Sequence, residues 1–121
     1  MTTFSVRHVA ERTRFEMVDG GTAGGAVIGK AVYLEYDGGE SPQRIFYHTV
    51  INQEFGGQGL AGRLAAVALA ETVTADRGIV PVCPFIKKYL DQHPEYAAQT
   101  VAVRPEHLAF LEAQLARPKQ R

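Results

Sequence analysis

The chain has 121 residues, 45% hydrophobic and 21% charged, which is enough for one domain with a real core and too little for two. Lys plus Arg and Asp plus Glu balance at 13 each, so no net field draws the protein to nucleic acid or to an anionic membrane. A single cysteine, Cys83, excludes an internal disulfide, and no apolar run reaches the ~18–20 residues that span a bilayer.

The opening stretch, MTTFSVRHVAERTRF, lacks the apolar centre of a secretory signal. With the lone cysteine, it points to the cytoplasm. His8, His48, His93 and His107 lie far apart with no cysteine pair beside them, so no metal-ligand spacing is present. Arg7, Arg12 and Arg14 form a local basic cluster that reads as a solvated face.

The first half of the chain reads as strands. An early strand is expected near 4–10, followed by TRFEMV (13–18) and AVIGKAVYLEY (26–36), with a Gly-rich hairpin connection over 19–25. In the second of these, Ile28, Val32, Leu34 and Tyr36 are expected to share one face, interrupted by Lys30. A second turn cluster, DGGESPQ, leads to RIFYHTVI (44–51), rich in β-branched and aromatic residues. Both connections are short, which predicts an antiparallel meander. The pattern then changes to a helix over 59–77, where Leu60, Leu64, Val67, Ala68 and Glu71 recur at helical spacing and Gly78 serves as the stop. A strand over 78–85, limited by Pro81 and Pro84, is followed by a short helix over 86–93 that breaks at HPEY. A last helix is expected over 105–116, with Pro105 in its first turn. The order defines an α+β domain with one strand–loop–helix–strand unit in its second half.

The loop NQEFGGQGLAG (52–62) joins that strand to that helix. Glycines before a helix start make a general anion site, because free backbone N–H groups and the positive end of the helix dipole face the ligand. The loop also fits the dinucleotide pattern G-x-G-x-x-G, yet the acidic residue that would hold a ribose is missing. Asp76 comes before the next strand begins. A P-loop needs Lys and then Ser or Thr after its last glycine, and Arg63 and Leu64 stand there instead.

A third pattern is closer. GGQGLA (56–61) resembles the Gln/Arg-x-x-Gly-x-Gly/Ala loop of GNAT-superfamily acetyltransferases, matching at Gly59 and Ala61 and departing at Gly56. Together with HTVINQEFGGQGLAGRL (48–64), VPVCPF (80–85) and HPEY (93–96), it resembles a small single-domain GNAT subfamily over about residues 5–100. The resemblance implies a minimal GNAT-like fold filling 1–121, with 101–121 as a helical extension. It implies acetyl-CoA as donor and an amine, on a small molecule or a protein, as acceptor. The long helical pair that builds the acceptor site in larger members has no room here. A non-catalytic module that only binds acetyl-CoA or CoA is the alternative. A small sheet domain with free edges is expected as a monomer or, through edge pairing, a homodimer.

By the same resemblance, strands 44–51 and 79–83 splay apart and the pantetheine arm lies between them. Val50 and Ile51 would then offer backbone to it. Gly56, Gly57, Gln58, Gly59, Leu60 and Ala61 would cradle the pyrophosphate, with Arg63 and Tyr89 beside the cofactor and Lys87 and Lys88 within reach of its phosphates. Cys83 falls next to the expected thioester, as a nucleophile for a two-step transfer or as a small buried hydrophobe. His48, expected on the face of Phe46 and Val50, is a base or a core histidine, since imidazole changes charge near neutral pH. Glu54 is a base acting through water, or a surface carboxylate near a helix start. Tyr89 and Tyr96 could protonate a leaving thiolate, while apolar helix faces favour packing for both.

Overall fold

The computed structural model describes residues 4–20, 25–57 and 59–116. Five strands form one sheet in the order β1-β2-β3-β4-β5. They are β1 (Phe4–Val9), β2 (Arg14–Asp19), β3 (Ala26–Tyr36), β4 (Gln43–Ile51) and β5 (Gly78–Pro81). The first four make the expected antiparallel meander. β5 lies parallel to β4 after the crossover helix α1 (Leu60–Thr74). Helix α2 (Pro84–Asp91) follows β5 directly, and α3 (Pro105–Ala116) ends the described chain. Residues 21–24 of the expected hairpin connection lie outside the described residues.

Two bulges set which side chains face the core. In β3, Ile28 is extra opposite the Met17–Val18 step. In β4, Tyr47 is extra opposite the Val32–Tyr33 step. One added residue shifts the two-residue alternation by one. The expectation that Ile28 shares a face with Val32, Leu34 and Tyr36 is therefore corrected. Ile28 packs with Ala31, Tyr33 and Phe46 in the main core under α1 and α2, and Tyr36 belongs to the other face. The same effect moves His48 off the face of Phe46. It pairs with Val32 and is exposed, as is Val50.

Helix α1 buries Leu60, Leu64, Ala65, Ala68, Leu69 and Thr72 against the sheet, a stripe at helical spacing drawn from an Ala-rich segment with strong helix propensity. Val67 points outward at 43% exposure, which corrects its place in the expected stripe. The helix stops at Thr74 rather than at Gly78. Asp76 takes a left-handed conformation (φ 61°), and the N–H groups of Asp76 and Arg77 donate to the carbonyls of Val73 and Thr72, a Schellman closure with Asp where Gly is usual. The expected strand over 78–85 is also shorter. Pro84 starts α2 at its first position, where its missing N–H costs nothing.

Charged groups inside the fold are paired. Arg44, 5% exposed, bonds Glu71 and Glu35, donates to Thr72 Oγ1 and lies 4.7 Å over the Tyr33 ring. The Tyr33 hydroxyl meets His8 Nε2 at 2.6 Å. Arg7 and Arg14, expected on a solvated face, clamp the buried Glu16. Burial pushes that carboxyl up, but hydrogen bonds from Arg7 and Arg14 outweigh it and hold it below the usual range.

The opposite face of the sheet carries a smaller cluster, Tyr36, Ile45 and Val80, covered by Val101 and Phe110. Val101 donates to the carbonyl of Ile79 at 2.8 Å, so the segment leading to α3 is tied to the edge strand.

Candidate acetyl-donor site

β4 and β5 pair only from Gln43 opposite Gly78 to Phe46 opposite Pro81. Beyond that point the strands part. β4 runs on to Ile51, paired with β3 on one side and with no strand on the other among the described residues. Three local causes converge here. Pro81 has no N–H to extend a ladder. Val82 turns back, donating to the carbonyl of Val80 at 3.1 Å. Cys83 then donates its N–H to Phe46 at 2.8 Å and caps α2. The result is a fork whose apex holds Cys83, with the edge of β4 open over 47–51.

An open cavity of about 710 Å³ separates α1 from α2, its α2 wall beginning at Phe85, two residues past Cys83. Its α1 wall is Gly59, Ala61, Gly62, Arg63 and Ala66, mostly small residues. Its α2 wall is Phe85, Lys88, Tyr89, Gln92 and His93. Gly57 and Gly59 have φ of 83° and 72°, the left-handed region that glycine enters without strain. A Cβ built on Gly57, Gly59 or Gly62 would meet nothing within 4 Å, so the first turn of α1 stands bare toward open space. Its orphan N–H groups and the dipole end suit an anion that approaches closely.

The expected residues divide into groups. Gly59, Ala61, Arg63 and Tyr89 line the cavity. Gly56 and Gly57 are in the exposed loop before it, and Gln58 lies outside the described residues. Leu60 is 3% exposed and belongs to the core, so only its backbone is available. Arg63 also donates to the carbonyl of Phe4 at 3.0 Å. Val50 is exposed and Ile51 packs against the main core, both on the open strand segment.

Cys83 is 5% exposed, and its thiol donates to Thr49 Oγ1 at 3.6 Å. Thr49 pairs with Ala31 of the main core, so Cys83 and Thr49 share the helical face of the sheet while His48 is on the other. Glu54 is exposed in a single 3-10 turn, Gln53–Phe55. The structure thus does not bring Cys83, His48 and Glu54 onto one face. Burial, with Tyr96 and Glu95 acting the same way, pushes the phenol of Tyr89 up, so its hydroxyl is a weaker acid than a free phenol. Tyr96 packs against the main core. Gly62, Ala66, Phe85, Gln92 and His93 also line the cavity and were not among the expected site residues, although Gly62, Phe85 and His93 lie within the matched segments. The signal for the α2 set was its spacing, since 85, 88, 89, 92 and 93 recur at one helix face.

The sheet forks after Phe46 and Pro81, and a glycine-opened helix start faces an open cavity. The family model of the GCN5-related N-acetyl-transferase matches residues 14–99, and the chain belongs to that family. Among solved structures it is similar to an NMR solution structure of a GCN5-like protein from Staphylococcus aureus, with a TM-score of 0.61 and 19% identity over 88% of this chain and 97% of that one. That likeness shows the fold. No curated protein matches the sequence.

Among the described residues no group of three or more His, Cys, Asp or Glu is placed to hold a metal. No described helix is long and apolar enough to cross a membrane.

Proposed function

We propose that this chain is an N-acetyltransferase that binds acetyl-CoA in the α1–α2 cavity and passes the acetyl group to an amine at the fork. The observation that carries the reading is the coincidence of the fork at Phe46 and Pro81 with the bare first turn of α1. Acetyl-CoA, when bound, supplies an activated acetyl thioester. The N–H groups around Gly57, Gly59 and Ala61 are suited to its pyrophosphate, which explains why Gly56 can replace a polar side chain at the loop's first position. The open edge of β4 offers backbone partners to the pantetheine amides.

Cys83 is the group at the fork apex with nucleophilic chemistry, held by Thr49 and by its own N–H to Phe46. Tyr89, on the cavity wall, carries the hydroxyl that would protonate the leaving thiolate. His48 is exposed on the outer face of β4's open segment, so it would serve as base only to an amine approaching from that side. Glu54, exposed in its turn, is the weaker candidate base.

The test is an acetyl-transfer assay over a panel of amines, with intact-protein mass spectrometry after incubation with acetyl-CoA alone. The reading expects transfer to at least one amine and a mass gain of one acetyl group on the wild type. It expects Cys83→Ala to lose the adduct and about 100-fold or more in rate. An unchanged rate in Cys83→Ala would remove the nucleophile role. Binding of acetyl-CoA without transfer to any amine would favour the non-catalytic module.

A further inference from the structure

The sheet face turned away from α1 and α2 carries Val101 and Phe110 over Tyr36, Ile45 and Val80 at one end. Farther along, strand pairing sets side chains in rows on the same face. One row runs Arg7, Glu16, Lys30 and Val50, and the next includes Arg14, Val32 and His48. The charge there is one-sided. Arg7, Arg14 and Lys30 face a single carboxylate, Glu16, although the whole chain balances 13 against 13. Both Glu16 oxygens are taken, Oε1 by Arg7 at 3.0 Å and Oε2 by Arg14 at 2.8 Å. Lys30 is the cross-strand neighbour of Glu16, is partly buried, and has no hydrogen bond or ion pair among the described residues. A lysine withdrawn from water is normally paired, so its ammonium is open to an anion from outside the chain.

A cavity of about 230 Å³ opens beside it, lined by Arg14, Val27, Gly29, Lys30, Val50 and Asn52. Its two charged groups are both cations. By liquid volume it holds roughly eight waters at ~30 Å³ each, which is room for the charged end of a small molecule and not for a folded partner. Position ties this cavity to the fork. Cys83 marks a level on β4, where its thiol meets Thr49 Oγ1 at 3.6 Å. His48 and Val50 flank Thr49 and project to the opposite face. Lys30 pairs with Val50, so their Cβ atoms are ~5 Å apart, and His48 is the diagonal neighbour at ~7–8 Å.

We propose that the acceptor is a small amine that also carries a carboxylate, and that Lys30, with Arg14 beside it, holds the carboxylate in this outer-face cavity while the amine reaches the thioester past the open edge of β4. This rests on the acetyltransferase reading above and adds the chemical class of the acceptor. Lys30 supplies one free positive charge, which matches a carboxylate better than a nearly doubly charged phosphate. The acceptor nitrogen bonds the acetyl carbon, the carbon–sulfur bond breaks, and the proton lost by nitrogen balances the one gained by sulfur.

Three four-carbon amines that differ only at the far end test this: γ-aminobutyrate, its carboxamide and 1,4-diaminobutane. At low salt the wild type should show kcat/KM about tenfold higher for the carboxylate than for the carboxamide, with the diamine lowest. Lys30→Ala should bring the carboxylate-to-carboxamide ratio toward one, Lys30→Arg should keep it, and Lys30→Glu should reverse the order in favour of the diamine. Circular dichroism of each variant controls for loss of fold, and titration with acetyl-CoA controls for loss of the donor. Equal kcat/KM for the three amines, a preference for the diamine, or a Lys30→Ala variant that keeps the ratio would overturn the acceptor class and leave the transferase reading intact. No transfer to the carboxylate amine by protein that still binds acetyl-CoA would overturn it equally. No binding of acetyl-CoA at millimolar concentration would overturn the donor reading and the acceptor class with it.

Discussion

Gly59 and Gly62 are three residues apart and ask different things of their backbone. Gly59 sits at φ 72° before the first turn of α1, and Gly62 is inside the helix. Neither would meet an atom within 4 Å if given a Cβ, so sterics with neighbours do not decide their roles. An L-residue in the left-handed region costs about 1–2 kcal/mol. Gly59→Ala is therefore expected to lower stability by about 1 kcal/mol and to weaken acetyl-CoA binding through a reoriented loop. Gly62→Ala should raise stability by up to about 1 kcal/mol, since Ala is the better helix former. Chemical denaturation paired with ligand titration of both variants checks this. A Gly59→Ala protein with unchanged donor affinity would count against the loop as the phosphate cradle. At this scale the sequence told part of the story. Gly59, Ala61, Arg63 and Tyr89 were legible because motif spacing and chain order locate them. The face of His48 was not, because the Tyr47 bulge that turns it outward arises from pairing with β3, and a bulge leaves no mark in a two-residue alternation read from one strand.

Among the elements, α3 rests on an unusual support. His107 is its one buried residue, 2% exposed. The Arg104 N–H donates to His107 Nδ1 at 3.0 Å, and His107 Nε2 meets Gln43 Oε1 at 2.8 Å. The imidazole stands where a capping box would put Glu or Gln, reaching back to the N–H that precedes the helix. Both bonds fit only the neutral ring with its proton on Nε2, because Nδ1 must accept. Burial pushes its pKa below the ordinary imidazole value, with Glu106 opposing and Arg104 assisting. A lowered folded-state pKa means that the unfolded chain takes up the proton first. The stability from this contact is present above the ordinary imidazole range and is lost as pH falls through the folded value. Thermal unfolding from pH 8 to pH 5 should show that loss in the wild type and a flatter dependence in His107→Gln. His107→Ala should cost about 1–3 kcal/mol at neutral pH by orphaning the Arg104 N–H and the Gln43 carbonyl. Identical pH slopes in wild type and His107→Gln would contradict the assignment. The existence of α3 was legible from Pro105 and its apolar repeat. Its anchor was not, because His107 and Gln43 are 64 positions apart.

At the scale of the molecule, the meander, the crossover helix and the parallel edge strand follow from short turns, a change in hydrophobic period and a buried-looking final strand. Element ends were less legible, since Asp76 and Pro84 set them through left-handed and first-turn geometry rather than through composition. The α2 wall became visible only once β5 delivered that helix beside the first turn of α1. Under the proposed function, the fork and the cavity form one site for one donor. An amide chemical-shift titration of the full chain with acetyl-CoA tests it most directly. The account predicts saturable shifts confined to 47–51, 56–63 and 83–93, on β4's open edge, the loop and α2. Saturable shifts elsewhere, on α3 or the outer sheet face with these segments silent, would contradict it, as would no shift at millimolar acetyl-CoA.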